Sequence, residues 1–198
     1  MPITLSASAA HEQNQTESHV NQVPAGLARI VLTGFMGAGK SSVGKLLARQ
    51  LGWEFLDLDA HLESRTGHTI PQLFALHGEA HFRRLESSAL ANALRRTRTV
   101  VALGGGAPEQ MTNRLLLEQT PKTLVVFLDA PFPTLYDRCI LQTFAAPEHE
   151  RPLLASPVEA EARFHARLPL YRRLAAVAVN TSELSADEAA MAVLLSLI

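Results

Sequence analysis

Apolar residues fall along this chain in short continuous runs, separated by longer stretches in which they recur three and four positions apart. The runs predict five strands: Arg29–Thr33, Trp53–Leu58, Thr99–Leu103, Thr123–Leu128 and Ala176–Val179. Val43, Leu46 and Leu47 predict a helix over Lys40–Leu51, ended by Gly52 as a left-handed cap. A polar helix is expected near Ala60–Arg65, stopping at Gly67. Ile70–Leu76 reads as a short helix with Pro71 in its first turn. Glu79–Arg96 reads as a separate, longer one with Phe82, Leu85, Leu90 and Leu94 apolar.

Thr112–Gln119 is expected to be helical until Pro121 breaks it, and another helix runs from the Asp129-Ala130-Pro131 turn to about Leu141. Thr143–Arg151 reads as an exposed loop. Ser156-Pro157-Val158-Glu159 and Ser185-Ala186-Asp187-Glu188 are capping-box patterns. The first opens a helix expected to kink or break at Pro169, and the second opens the last helix, to Leu197.

Strands alternating with helices predict an α/β fold, a parallel sheet covered on both faces. The 198 residues suit one such domain, with no internal repeat. Residues 1–26 are rich in Ser, Ala, Gln, Asn, Glu and His and are expected to form a flexible extension, with the domain over 27–198. His11 and His19 in that extension read as solvated.

Composition narrows the class of partner. The net charge of −1 supplies no global field for nucleic acid or membrane. No apolar run approaches the 18–20 residues, roughly, that a membrane span needs. One cysteine, Cys139, excludes an internal disulfide, suits a reducing compartment and reads as a packing residue, so a cytoplasmic location is expected. Of the 18 basic residues 15 are arginine, the better fork for carboxylate and phosphate, although the codon bias of a GC-rich genome accounts for most of such an excess.

The chemistry starts at Gly34-Phe35-Met36-Gly37-Ala38-Gly39-Lys40-Ser41, which fits G-x-x-x-x-G-K-[S/T] at every fixed position. Ile30, Val31 and Leu32 precede it as a buried strand does, and a helical pattern follows. Glycines let backbone N–H groups approach phosphates, and the helix start adds unpaired N–H groups and a positive dipole end. Lys40 brings a full charge for the β- and γ-phosphates, and the Ser41 hydroxyl is placed to ligate Mg²⁺.

In such sheets ligands bind beyond the carboxyl ends of the strands. Three more features fall there: Asp57-Leu58-Asp59, Gly104-Gly105-Gly106, and the loop after the fourth strand. Two aspartates two apart share a face if the strand continues through both. One carboxylate then suits Mg²⁺ through water, and the other an acceptor hydroxyl; a helix cap explains an aspartate here equally well, and Asp59 fits both roles. Arg83 and Arg84 lie mid-helix, and spacing does not choose which faces the site. Arg151, Arg167, Arg172 and Arg173 are further cations whose alternative is a solvated surface.

From about Arg29 to Ile198 the chain closely resembles the shikimate kinases. The phosphate loop is followed by D-x-D (Asp57-Leu58-Asp59), then Arg65-Thr66-Gly67 and Ile70. G-E-x-x-F-R-x-x-E appears as Gly78 to Glu86, and the glycine triplet follows Leu103. R-P-L-L appears at Arg151–Leu154 and R-x-P-L-Y at Arg167–Tyr171.

The resemblance implies a three-layer α/β/α P-loop kinase fold with a central five-stranded parallel sheet and a mobile lid at about 142–156. It implies ATP-dependent phosphorylation of the 3-hydroxyl of shikimate, with Mg²⁺ as cofactor, in a monomer. Lys40, Asp59 and Arg151 are the implied catalytic residues. ATP is implied to bind Gly37, Ala38, Gly39, Lys40, Ser41, Ser42 and Arg151. Shikimate is implied to bind Asp59, Arg83 rather than Arg84, Gly105 and Arg167. Ser41, and Asp57 through water, are the implied metal residues.

Two departures stand out. Leu141–Glu150 contains no arginine, so the basic run of the family lid has no counterpart, and the segment from Pro152 to Arg167 is a few residues short. Two other readings compete. One is a kinase of this fold for another polyol acid such as gluconate, which Arg83 and R-x-P-L-Y oppose. The other is a binding module without turnover, which the intact Lys40, Ser41, Asp57 and Asp59 oppose.

Overall fold

A computed structural model describes residues 24, 26–145 and 156–197, with the side chains of 143–145 excepted. Most of the expected extension and about two thirds of the expected lid, Arg151 included, lie outside the described residues.

Five strands form one parallel sheet: β1 (Arg29–Thr33), β2 (Glu54–Asp57), β3 (Thr99–Ala102), β4 (Thr123–Asp129) and β5 (Val177–Asn180), in the order β2-β3-β1-β4-β5. Every β1 residue is buried, and its alternation feeds two cores. Ile30 and Leu32 enter one with Val43 and Leu47 of α1 (Lys40–Leu51) and Ala190 and Val193 of α7 (Ala186–Leu195). Val31 enters the other with Leu62 of α2 (Leu58–Thr66), Phe82 and Leu90 of α3 (Ile70–Ala93), and Leu117 of α4 (Met111–Gln119). These are the three layers expected from the pattern.

Registers set the working edge. Leu32 and Asp57 both pair with Ala102, and Thr33 pairs with Phe127. The chain therefore leaves β1, β2 and β3 within one residue of the same level, where the phosphate loop, the aspartates and the glycine triplet emerge together, and β4 runs two residues further.

Several boundaries differ from the sequence reading, each for a local reason. Two helical segments, as expected, make up Ile70–Ala93: they meet at a kink at Gly78, whose backbone (φ 76°, ψ 167°) is not helical. A capping box of Thr69 with Gln72, missed in the sequence, starts that element, and it stops at Ala93. Pro169 does not break α6 (Pro157–Leu174). Buried residues before and after it, Phe164, Arg167 and Tyr171, hold the helix against the sheet, so packing outweighs the lost hydrogen bond.

α5 (Phe132–Ala145) runs four residues past Leu141, so the start of the expected loop at Thr143 is helical. A 3₁₀ turn over Ala107–Glu109 was not anticipated. Cys139 is buried, as expected of a packing residue.

Candidate active site

The phosphate loop turns on three glycines in the left-handed region, Gly34, Gly37 and Gly39. Gly34 shows why no side chain is allowed: a Cβ there would lie 2.6 Å from the Leu128 carbonyl oxygen. The loop is buttressed from below by its own Phe35, which is 2 % exposed and packs edge-on against Phe164 at 5.5 Å and Phe132 at 6.4 Å. Lys40 folds back over the loop and donates from Nζ to the carbonyl oxygens of Gly34 and Phe35, both at 2.9 Å. Ala38 is buried, while Ser41 and Ser42 open the exposed first turn of α1.

Ser41 Oγ donates to Asp57 Oδ2 at 2.5 Å, which brings the two expected metal residues together. Asp57 ends β2 and caps α2: its Oδ1 accepts from the backbone N–H of Asp59 at 3.1 Å and of Ala60 at 3.3 Å. The strand does not run through both aspartates. The cap is Asp57 rather than Asp59, which frees Asp59 for the site.

Asp59 lies in the first turn of α2 beside Gly104, where a Cβ would meet its Oδ1 at 2.7 Å and Glu86 Oε1 at 2.9 Å. Burial, then the nearby Asp57, push the Asp59 carboxyl up to about 6, with Lys40 and Arg83 pulling the other way. Glu86, 1 % exposed on α3, is pushed up to about 7, chiefly by burial, against the pull of Arg83.

Arg83 faces the site and Arg84 does not. The Arg83 side chain is 11 % exposed, with Nη1 on Glu86 Oε2 at 2.9 Å and Nη2 on Glu79 Oε1 at 3.1 Å. Arg84 is exposed, with His81 Nδ1 at 3.5 Å. Arg167, 8 % exposed on α6, stacks over the Phe35 ring at 6.0 Å and donates from Nη2 to Glu109 Oε2 at 2.8 Å. The same Glu109 oxygen lies 3.4 Å from Arg83 Nη2, so the two guanidiniums converge on one carboxylate. Arg172 and Arg173 are surface residues paired to Asp129 at 3.8 Å and Glu118 at 3.5 Å.

Gly105 sits between the two halves. A Cβ there would lie 3.7 Å from Gly34 O and Met36 N in the phosphate loop and 3.9 Å from Arg167 Nη1. Its carbonyl is pinned by the Tyr171 hydroxyl at 2.6 Å. The site thus joins a phosphate cradle to a small compartment holding two guanidiniums and a carboxylate of raised pKa. Such a compartment suits an anionic acceptor bearing a hydroxyl.

Glu86 and Glu109 are the site residues the sequence reading did not assign. Glu86 had a signal, since it stands three positions after Arg83 amid apolar neighbours on one helix. Glu109 had none, as its partners are 26 and 58 positions away.

Comparison with known proteins places this arrangement. The shikimate kinase family model matches residues 36–197. A shikimate kinase from Symbiobacterium thermophilum is 41 % identical over 162 residues, covering 80 % of this chain and 90 % of that one. One from Halorhodospira halophila is 43 % identical over 159 residues, covering 78 % and 85 %. The solved shikimate kinase from Acinetobacter baumannii in complex with shikimate superposes with a TM-score of 0.77 at 37 % identity, covering 86 % of this chain and 93 % of that one. The family model over most of the chain and relatives of about 40 % identity show that the chain belongs to the shikimate kinase family.

Proposed function

We propose that this chain is a shikimate kinase, moving the γ-phosphoryl group of ATP to the 3-hydroxyl of shikimate. The products are shikimate 3-phosphate and ADP, a step toward chorismate and the aromatic amino acids. The observation that carries the reading is the convergence of Arg83 and Arg167 beside Asp59 and Gly105, against the phosphate loop. A cyclic α,β-unsaturated acid with ring hydroxyls has the two groups this compartment is built to read.

The hydroxyl oxygen forms a bond to the γ-phosphorus as the bond from that phosphorus to the β–γ bridging oxygen breaks. Asp59 orients the hydroxyl and takes its proton. A carboxyl titrating near 6 is mostly ionised at neutral pH yet basic enough to accept a proton as the bond forms. Arg83 and Arg167 fix the substrate carboxylate, and the Gly105 backbone contacts the substrate. Gly37, Ala38, Gly39, Ser41 and Ser42 cradle the phosphates. Lys40 leaves the loop carbonyls for the β- and γ-phosphates, and Arg151 reaches the same phosphates from the lid.

The donor set beside the loop, one hydroxyl and one carboxylate 2.5 Å apart, offers the hard oxygens Mg²⁺ takes while keeping its waters. Ser41 would hold the ion directly and Asp57 through water. When bound, Mg²⁺ neutralises phosphate charge that builds up during transfer. The kinase domain spans 27–198, with 1–26 an extension and about 142–156 a lid, and the protein works as a cytoplasmic monomer. No described helix is long and apolar enough to cross a membrane.

The test is ADP release by the purified full chain with ATP, Mg²⁺ and shikimate or gluconate. Shikimate-dependent release is expected. Release with gluconate alone would overturn the choice of substrate, and shikimate binding without turnover would favour a binding module.

A further inference from the structure

The carboxylate that bridges the two arginines belongs to the protein. We propose that Glu109 is an internal stand-in for the substrate carboxylate, competing for Arg83 and Arg167 and so setting the affinity of the acceptor site. The inference rests on the shikimate reading of that site.

Three observations support competition over scaffolding. First, neither arginine depends on Glu109 for its position. Arg83 is held by the buried Glu86 and by Glu79, and Arg167 is held over the Phe35 ring inside a packed helix. Second, Glu109 is a poor partner for the fork it occupies. It reaches both guanidiniums through one oxygen, and Arg167 Nε is buried with no hydrogen-bond partner among the described residues. A carboxylate arriving along the Nε–Nη2 edge can satisfy both nitrogens, as bidentate pairing requires.

Third, the side chain can leave without disturbing its backbone. The 3₁₀ turn that carries it is clamped by Asn113 Nδ2 on the Ala107 carbonyl at 2.9 Å. Arg114 Nη1 adds bonds to the carbonyls of Pro108 at 2.7 Å and Glu109 at 2.9 Å. The Glu109 side chain is 36 % exposed, so a rotation about its own bonds carries the carboxylate to water. Two carboxylates on one arginine pair repel each other, and a bound substrate therefore displaces Glu109 rather than joining it.

Apparent substrate affinity falls in proportion to the fraction of molecules in which Glu109 is unseated, the only fraction competent to bind. Glu109→Gln and Glu109→Ala, made in the full chain, are compared with the parent for shikimate KM, kcat and calorimetric Kd. Thermal melting checks that both variants fold. The expected result is a KM and Kd for shikimate about threefold to tenfold lower in both variants, the shift carried by KM rather than kcat. The methyl ester of shikimate, which lacks the competing charge, is expected to gain less.

An unchanged or higher KM in the variants overturns the proposal and makes Glu109 a strut for the arginines. An equal gain for the ester also overturns it, because the effect is then one of space. A parent chain that neither binds nor phosphorylates shikimate defeats the underlying reading itself, whatever Glu109 does.

Discussion

The donor and acceptor halves of this site touch at Gly105 and are built in opposite ways. The donor half is mainly backbone, one contiguous loop with three left-handed glycines and the start of α1, to which Lys40 and Ser41 add side chains from the same stretch. The acceptor half is side chains from four separate segments: Asp59 on α2, Arg83 and Glu86 on α3, Glu109 on the 3₁₀ turn, and Arg167 on α6. Phosphate is the same in every nucleotide, and N–H groups on a rigid loop recognise it without choosing a base or a substrate. Choosing one acid among many needs charges at fixed separations, which several elements must carry. Those charges are partly buried, and their cost shows in the raised pKa values of Asp59 and Glu86.

If the halves are separable, damage should sort by half. The largest effect is expected from Asp59→Asn. Loss of the base should lower kcat by about a hundredfold to ten-thousandfold, while calorimetry shows ATP binding retained. Near-normal turnover would remove Asp59 from proton transfer.

Lys40→Met comes next. Removing the charge on the transferring group should cost roughly a hundredfold to a thousandfold in kcat and weaken ATP, while shikimate binding in the absence of nucleotide stays near the parent. A comparable loss of shikimate affinity would show that the halves are coupled, through Phe35, which lies in the loop and beneath Arg167.

A smaller effect concerns stability and belongs to the acceptor half alone. The carboxyls of Asp59 and Glu86 titrate near 6 and 7 in the folded chain and at ordinary, lower values once unfolded. Folding therefore holds protons that the unfolded chain has already released. That contribution is complete below about pH 4 and is lost as pH rises through 6 and 7, on the order of a few kcal/mol. This contribution to the melting temperature of the ligand-free chain should accordingly fall between about pH 4.5 and 7.5. Glu86→Gln, which does not titrate, should flatten the fall, and an unaltered slope would deny Glu86 its part.

The same contrast explains what the sequence disclosed. The donor half is local, so Gly34–Ser41 and the strand–loop–helix around it could be read from spacing alone. Strand positions were legible because β1 and β3 are buried throughout. The acceptor half is non-local. Spacing left Arg83 and Arg84 equivalent, and only the family resemblance chose between them. Spacing also left open whether an aspartate here serves the site or caps the helix, because an aspartate opening a helix looks alike one turn position earlier or later; the hydrogen bonds of Asp57 make it the cap. At Pro169 a local rule predicted a kink or a break; the break is absent because the buried residues on either side come from tertiary packing that no local rule contains.

The most direct measurement is the pair of Michaelis constants of Arg83→Ala, taken with shikimate and ATP varied in turn. Loss of one charged fork should raise the shikimate KM about tenfold to a hundredfold and leave the ATP KM within about twofold of the parent. An unchanged shikimate KM, or an ATP KM that moves as far, would contradict the division of the site into a backbone half for the donor and a side-chain half for the acceptor.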